Sequence, residues 1–228
     1  MLDPRIGKGI RLLGKPSFLR VYWQHRVVAS LEHEALPDTS YATVVDIGAH
    51  TGQFTLLARA RYPEAMIHAF EPLPEAAAKF REVFEEDPRV QLHEAAIAPE
   101  ARQATLYLGR AFDGGSLLPN PRGRREVSVR AAPLADLLAP DEIRPPALLK
   151  LDVQGFEYEA LAGCRSLLDK FDDVMAELSL VKDRAGQRLA SDVISLLRDE
   201  GFQFTGMDAI GRRKGKITSF DGIFSRVG

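Results

Sequence analysis

Apolar and polar positions along the chain change period at intervals that predict alternating strands and helices. Thr43 to Ile47 carries β-branched Val44 and Val45 with Ile47 in an almost unbroken apolar run, the pattern of a strand buried on both faces, and Gly48 ends it. Phe54, Leu56, Leu57 and Ala58 then recur at helical spacing, so a helix runs from the turn to near Tyr62. AMIHAF, residues 65–70, predicts a second strand, and Pro72 and Pro74 stop it and preset the first turn of a helix over 75–86. RVQLHEAAI, residues 89–97, alternates as a third strand. Between 103 and 131, QATLYLG and EVSVRA have period two and predict an extra hairpin around the loop 109–126, where a crossover helix would otherwise stand.

The second half repeats the alternation. Leu134 to Leu138 reads as a short helical turn, Ala147 to Leu151 as a fourth strand, and Phe156, Leu161 and Leu167 as core positions of the helix after it. DVMAEL, residues 173–178, predicts a fifth strand, and Arg188 to Glu200 a helix ended by Gly201. FQFTGMDAI and SFDGIFSRV close the chain as an antiparallel hairpin, with GRRKGK read as a solvated basic loop between them. This order predicts an α/β, Rossmann-like, doubly wound sheet of seven mostly parallel strands with an antiparallel C-terminal hairpin. Residues 1–40 place Leu12, Leu13, Phe18, Leu19, Tyr22, Trp23, Val27, Val28, Leu31 and Leu36 mostly three or four apart. They predict an N-terminal extension of one or two amphipathic helices ahead of a domain over 41–228. Such helices would line the acceptor side of a cleft, or serve only packing or a homodimer contact. His25, Glu32 and His33 lie in this region without a metal-ligand pattern and read as surface or packing residues.

Composition narrows the partners. The 228 residues carry 30 basic and 32 acidic side chains, a formal charge of −2, so no general attraction to nucleic acid or anionic membrane is expected. The single cysteine, Cys164, excludes an internal disulfide and a cysteine-rich metal site and suits a reducing compartment. The basic opening MLDPRIGKGIRLLGKPSF is broken by Gly and Pro and has no apolar run long enough for a secretion signal or a membrane span. The expected location is the cytoplasm.

The turn from Gly48 to Gly52 must bend sharply and admit a ligand close to its backbone. A dinucleotide site wants GxGxxG at this point, but His50 stands where the middle glycine would admit a pyrophosphate. Acidic residues mark the strand ends instead: Asp46 on the first, suited to a positively charged neighbour, and Glu71 after the second, suited to accept both hydroxyls of a ribose. The ligand that combines a ribose, an ammonium and a sulfonium without phosphate is S-adenosylmethionine. Ala95 and Ala96, at the end of the third strand, leave room for its flat ring. An alcohol acceptor needs its proton removed, which calls for a base at the carboxyl end of the fourth or fifth strand. Asp152, Glu157 and Glu177 converge there, and Lys150 shares a strand face with Asp152. Asp152 would hold the methionine ammonium or orient the acceptor, with Glu177 or Glu157 as base; His50 is a further base candidate. Such carboxylates could also bind Mg²⁺. Phe54, Phe70, Phe112 and Phe156 are candidate walls. Arg122, Arg124 and Arg125 in the loop either meet a phosphorylated acceptor or are solvated.

VVDIGAHTGQF, AFEPLPEA and LLKLDVQGFEYEALAG resemble, in order, the signature blocks of the FkbM family of S-adenosylmethionine-dependent methyltransferases. With HEAAIA and the closing strands, the likeness runs from about Thr43 to the C-terminus. It implies a class I methyltransferase fold and O-methylation of a small hydroxylated acceptor, a sugar, glycoside or secondary metabolite. It carries Asp46, Gly48, Ala49, His50, Gly52, Gln53, Phe54, Glu71, Pro72, Leu73, Ala95, Ala96, Ser116 and Asp152 to the cofactor side, with Gly115 and Ser116 matching a Ser-Leu element. Asp152, Glu157, Glu177 and Lys150 fall to catalysis. The chain departs from the pattern in three places. Pro99 and Glu100 stand where an Asp follows the third strand, which leaves the partner of the adenine amino group open. Gln154 replaces a Glu, so Mg²⁺ is not favoured and no metal ligand is assigned. His50 replaces an Asn, which implies a backbone-positioning role. Two other readings remain: a non-catalytic S-adenosylmethionine-binding module, and an RNA methyltransferase prompted by the arginine loop but opposed by the balanced charge and the lack of an Asn-Pro-Pro-Tyr element.

Overall fold

Strand β1 (Thr43–Ile47) is buried along its whole length, with Val45 and Ile47 packed into one apolar cluster and Val44 into another on the opposite face. A strand apolar on both faces must lie mid-sheet with helices above and below, and β1 does. It pairs in parallel with β2 (Met66–Phe70) on one side and β8 (Ala147–Leu151) on the other. The computed structural model describes residues 21–227 apart from 22, 31, 32, 34, 35, 110–114, 121, 122 and 124.

β3 (Val90–His93) extends the sheet beyond β2, and β9 (Asp173–Ser179) extends it beyond β8, both in parallel. β10 (Phe202–Arg213) and β11 (Lys216–Arg226) form the antiparallel closing hairpin, with β11 inserted next to β9. The order is therefore β10-β11-β9-β8-β1-β2-β3, the seven-stranded, mostly parallel sheet that the sequence predicts. Helices α1 (Gln53–Arg61) and α2 (Pro74–Phe84) bury Leu57, Ala58 and Phe80 against one face. Helices α3 (Glu157–Cys164) and α4 (Ala190–Asp199) bury Leu161, Val193 and Leu197 against the other. Among the described residues no helix is long and apolar enough to cross a membrane.

A four-stranded sheet flanks the main one: β4 (Ala96–Ile97), β7 (Arg125–Ala132), β5 (Arg102–Leu108) and β6 (Gly115–Ser116) in that order. The β5–β7 pair is the expected extra hairpin. The third strand, however, does not run to 97. It stops at His93, and Ala96 and Ile97 pair in parallel with Ala131 and Ala132 in the second sheet. Leu106, Val129, Leu73 and Ala76 form a small core under this sheet, which places it over the carboxyl ends of β2 and β3.

GRRKGK is not a loop. Gly211 to Arg213 and Lys216 are strand, and only Lys214 and Gly215 turn, both at positive φ (51° and 78°). Such a two-residue turn matches the twist of a hairpin. Residues 21 and 23–25 are helical, whereas 26–30, 33 and 36–40 are not. Of the positions read as core-facing there, Val27 and Leu36 are buried without a helix, as is Ala29, whereas Trp23 is 68% exposed. Leu12, Leu13, Phe18, Leu19, Tyr22, Leu31, Glu32, Phe112, Asp113, Arg122 and Arg124 lie outside the described residues.

Candidate active site

The chain proceeds from β1 to β2 and β3 in one direction across the sheet and from β8 to β9 in the other. The carboxyl ends of β1 and β8 therefore diverge at a topological switch point, where open α/β sheets bind ligands. A cavity of about 340 Å³ opens there.

Its floor is the turn after β1. Gly48 has φ +81°, and a Cβ on it would lie 1.9 Å from the carbonyl oxygen of Asp152, so only glycine lets the two strand ends approach. The amides of Gly48 and Ala49 donate to the Phe70 carbonyl (3.0 and 3.1 Å), and that of Gly52 donates to the Ala49 carbonyl (2.8 Å). His50, at φ 49°, donates its N–H to Glu71 Oε2 at 2.8 Å. Four of the turn's five amides thus have protein acceptors. A dinucleotide-binding turn keeps such amides for a diphosphate.

Glu71, buried at the end of β2, faces this turn. Its Oε2 takes the His50 N–H and its Oε1 the Leu73 N–H (2.7 Å). Burial pushes its carboxyl up to about 7 despite those two bonds. Each oxygen keeps a lone pair for a hydroxyl donor.

The cavity is lined by most of the residues assigned to it: Gly48, Ala49, His50, Gln53, Phe54, Glu71, Pro72, Ala95, Ala96, Ser116, Lys150 and Asp152. Phe70 and Phe156 also line it, as expected of candidate walls. Asp46, Gly52, Leu73, Glu157 and Glu177 do not. Asp46 lies inside β1, fully buried, in register with Lys150 of β8. Its Oδ1 is 3.1 Å from Lys150 Nζ, and its Oδ2 accepts the Thr55 hydroxyl at 2.8 Å. It therefore neutralises Lys150, which lines the cavity, without lining the cavity itself. Burial disfavours charge on Lys150, but Asp46 and Asp152 outweigh it and hold the ammonium above its ordinary value. Gly52 has φ +90°, and a Cβ there would meet Phe84 at 2.3 Å, so this glycine serves packing. Leu73 contributes only its amide to Glu71.

Asp152, Glu157 and Glu177 converge as the sequence predicts, with carboxylate oxygens within 4.8 Å of one another. Glu157 Oε1 accepts the amides of Val153 (3.1 Å) and Gly155 (3.0 Å), which shape the bend after β8. Gln154, at φ 55°, donates its side-chain amide to Asp152 Oδ1 (2.8 Å) and approaches Glu177 Oε2 (3.5 Å). Burial pushes Glu157 up to about 7, and burial together with Asp152 pushes Glu177 up to about 9. One oxygen of Asp152 and one of Glu157 take protein donors, and the Gln154 side-chain amide stands beside the cluster. The three carboxylates lie close enough together to hold a cation, and no metal is assigned to them.

Ser30, His33, Ile47, Thr51, Ile97, Leu106, Leu117, Val153 and Gln154 also line the cavity. Local pattern marks the apolar members of this set only as core. Ser30 and His33 come from the segment read as an amphipathic helix, where the described residues 26–30 and 33 are neither helix nor strand. Arg125, read with the loop arginines, is in an exposed ion pair with Glu75.

A seven-stranded sheet in this order, with a glycine turn and a buried acid at the switch point, defines a Rossmann-like class I methyltransferase. A family model described as "Methyltransferase FkbM domain" matches residues 46–204, and the chain belongs to that family. It is 30% identical over 165 residues to "Methyltransferase 1" of Beauveria bassiana, covering 62% of this chain and 66% of the relative. It is 27% identical over 191 residues to the "31-O-demethyl-FK506 methyltransferase FkbM" of Streptomyces tacrolimicus, covering 70% and 72%. A crystal structure of "Methyltransferase FkbM" from Methylobacillus flagellatus KT superposes with a TM-score of 0.55 at 15% identity, over 85% of this chain and 46% of that one. The chain thus spans about two thirds of the first relative and less than half of that solved chain.

Proposed function

We propose that the chain transfers a methyl group from S-adenosylmethionine to a hydroxyl of a small acceptor, a sugar, glycoside or secondary metabolite. Bound in the cleft, the donor supplies a methyl group on a positively charged sulfur. Glu71 carries the reading: a buried carboxylate, fixed by two backbone amides and with lone pairs facing the cavity, suits the paired hydroxyls of a ribose. Gly48 and Ala49 let the donor lie against backbone, Ala95 and Ala96 leave space for its ring, and Asp152 faces its ammonium or the acceptor. The turn amides, already bonded within the protein, argue against a dinucleotide. O-methylation finds support in the name of the Streptomyces tacrolimicus relative. The buried thiol of Cys164 accords with a reducing cytoplasm.

Alignment and exclusion of water are what such a cleft contributes, an effect of roughly 7–11 kcal/mol for well-oriented reactants. Calorimetry with S-adenosylmethionine and with NAD tests the reading. S-adenosylmethionine binds and NAD does not, and Glu71→Ala weakens the binding more than tenfold. That variant also leaves the His50 and Leu73 amides without acceptors, a cost of about 1–3 kcal/mol in stability, so affinity is measured on the folded fraction. A titration unchanged in Glu71→Ala rejects the ribose assignment.

A further inference from the structure

The sequence places the acceptor's base among the carboxylates of β8, β9 and α3, but Glu157 and Glu177 do not line the cavity. Asp152 does, with Oδ1 engaged by Gln154. A different group reaches the cavity wall. His33 lines it, and its Nδ1 lies 3.1 Å from Asp221 Oδ2, the two side chains being only 11% and 14% exposed. The Ser30 N–H donates to the Gln53 carbonyl at 3.0 Å, which ties this segment to the start of α1 beside the glycine turn. The imidazole packs edge-on against Phe54 with ring centroids 5.7 Å apart, and Lys150 Nζ lies 5.3 Å from the centroid of the same Phe54 ring.

We infer that His33 is the general base for the acceptor hydroxyl and that Asp221 is its positioning residue; this rests on the methyl-transfer reading above. A carboxylate against Nδ1 selects the tautomer with hydrogen on that nitrogen, which leaves the Nε2 lone pair for a cavity occupant. The contact at 3.1 Å is an ion-pair approach without hydrogen-bond alignment, and catalytic hydrogen bonds commonly tighten only in the reacting complex. The charged groups around the pair are Asp221 from β11, Glu177 directly across from it on β9, and Lys150 from β8. As the acceptor oxygen bonds to the methyl carbon, its O–H bond breaks and the proton moves to Nε2. The electrons of the carbon–sulfur bond stay with sulfur, so no redox partner is needed.

Two measurements test this. Long-range ¹H–¹⁵N spectra of the ligand-free, histidine-labelled protein read the tautomer directly. Neutral His33 is expected to carry hydrogen on Nδ1, and Asp221→Asn to abolish that preference. Hydrogen on Nε2 in the unaltered protein overturns the inference. Turnover is then followed with methyl-labelled S-adenosylmethionine and a panel of monosaccharide methyl glycosides. His33→Gln is expected to lower kcat at least a hundredfold with S-adenosylmethionine affinity within threefold, and imidazole to restore part of the rate in His33→Gly. Donor binding with turnover unchanged in His33→Gln overturns this inference alone. Failure of the unaltered chain to bind the donor overturns the methyl-transfer reading and this inference together.

Discussion

Gly48 and Asp152 meet at the cleft floor with no room for a methyl group between them, and the obstacle is the Asp152 backbone carbonyl rather than a movable side chain. Gly48→Ala must either push the ends of β1 and β8 apart or leave its positive φ. Either change costs about 2–4 kcal/mol from strain and overpacking together. Gly109→Ala is the control, since a Cβ there meets nothing within 4 Å and the position is not at positive φ. Urea unfolding should show the loss in Gly48→Ala and less than about 0.5 kcal/mol in Gly109→Ala. Equal midpoints for the two variants reject the close-approach account.

Glu71 predicts a pH dependence for donor binding. Burial raises its carboxyl to about 7, and the ionised form is the better acceptor for two hydroxyls. Below that value the proton must be lost before the ligand is gripped. Affinity for S-adenosylmethionine is therefore expected to fall by up to about tenfold per pH step of one as pH drops from 7 to 5.5. Calorimetry across that range checks it, with Glu71→Gln expected to bind weakly and with a flat profile. An equal slope in both proteins assigns the proton elsewhere.

What is legible in the sequence divides along physical lines. The strands follow from apolar runs and alternation, and a sheet of βα units admits few orders, so β1, β2, β8, β9 and the final hairpin follow from period and handedness. Asp46 reads as a ligand contact because an acid at a strand end beside the glycine turn suits a positively charged neighbour. Its partner Lys150 is more than a hundred residues away, and only the β1–β8 register brings them together. The run from Arg89 to Ile97 keeps its alternation through a change of sheet, since period carries no information on which strand will be the neighbour. GRRKGK reads as a loop when charge is weighed above turn chemistry, although Lys-Gly at positive φ closes a tight hairpin. His33 reads as a surface or packing residue for a plainer reason. Its significance lies in Asp221, in the last strand of the chain.

The Asp46–Lys150 pair should dominate the stability of the sheet centre. Both groups are nearly inaccessible to water, so removing one leaves a buried charge uncompensated. Asp46→Ala is expected to cost about 3–5 kcal/mol, and Asp46→Leu combined with Lys150→Met to recover most of it by filling the volume with apolar groups. The Lys150 value is raised from 10.5, so the stabilisation is complete below that pH and disappears only as pH rises past the folded-state value. In the unaltered protein the pair's contribution therefore does not fall between pH 6 and 9, and urea unfolding of the variants at pH 7 measures the cost. A double variant no more stable than the single one contradicts this view of the pair.

Glu177 works in the opposite sense. Its carboxyl is raised from 4.5 to about 9, by burial first and then by Asp152, so the folded protein holds a proton that the unfolded chain releases. Its contribution to stability is complete below pH 4.5 and is lost as pH rises toward 9. Glu71 and Glu157, both raised to about 7, contribute to the same decline only up to that pH. The stretch from pH 7 to 9 thus isolates Glu177. Unfolding free energies in urea should fall across it in the unaltered protein and level off in Glu177→Gln. At pH 9 the variant should be the more stable of the two. Parallel curves for the two proteins would mean that Glu177 is already ionised at neutral pH and that its carboxylate is compensated by a neighbouring donor.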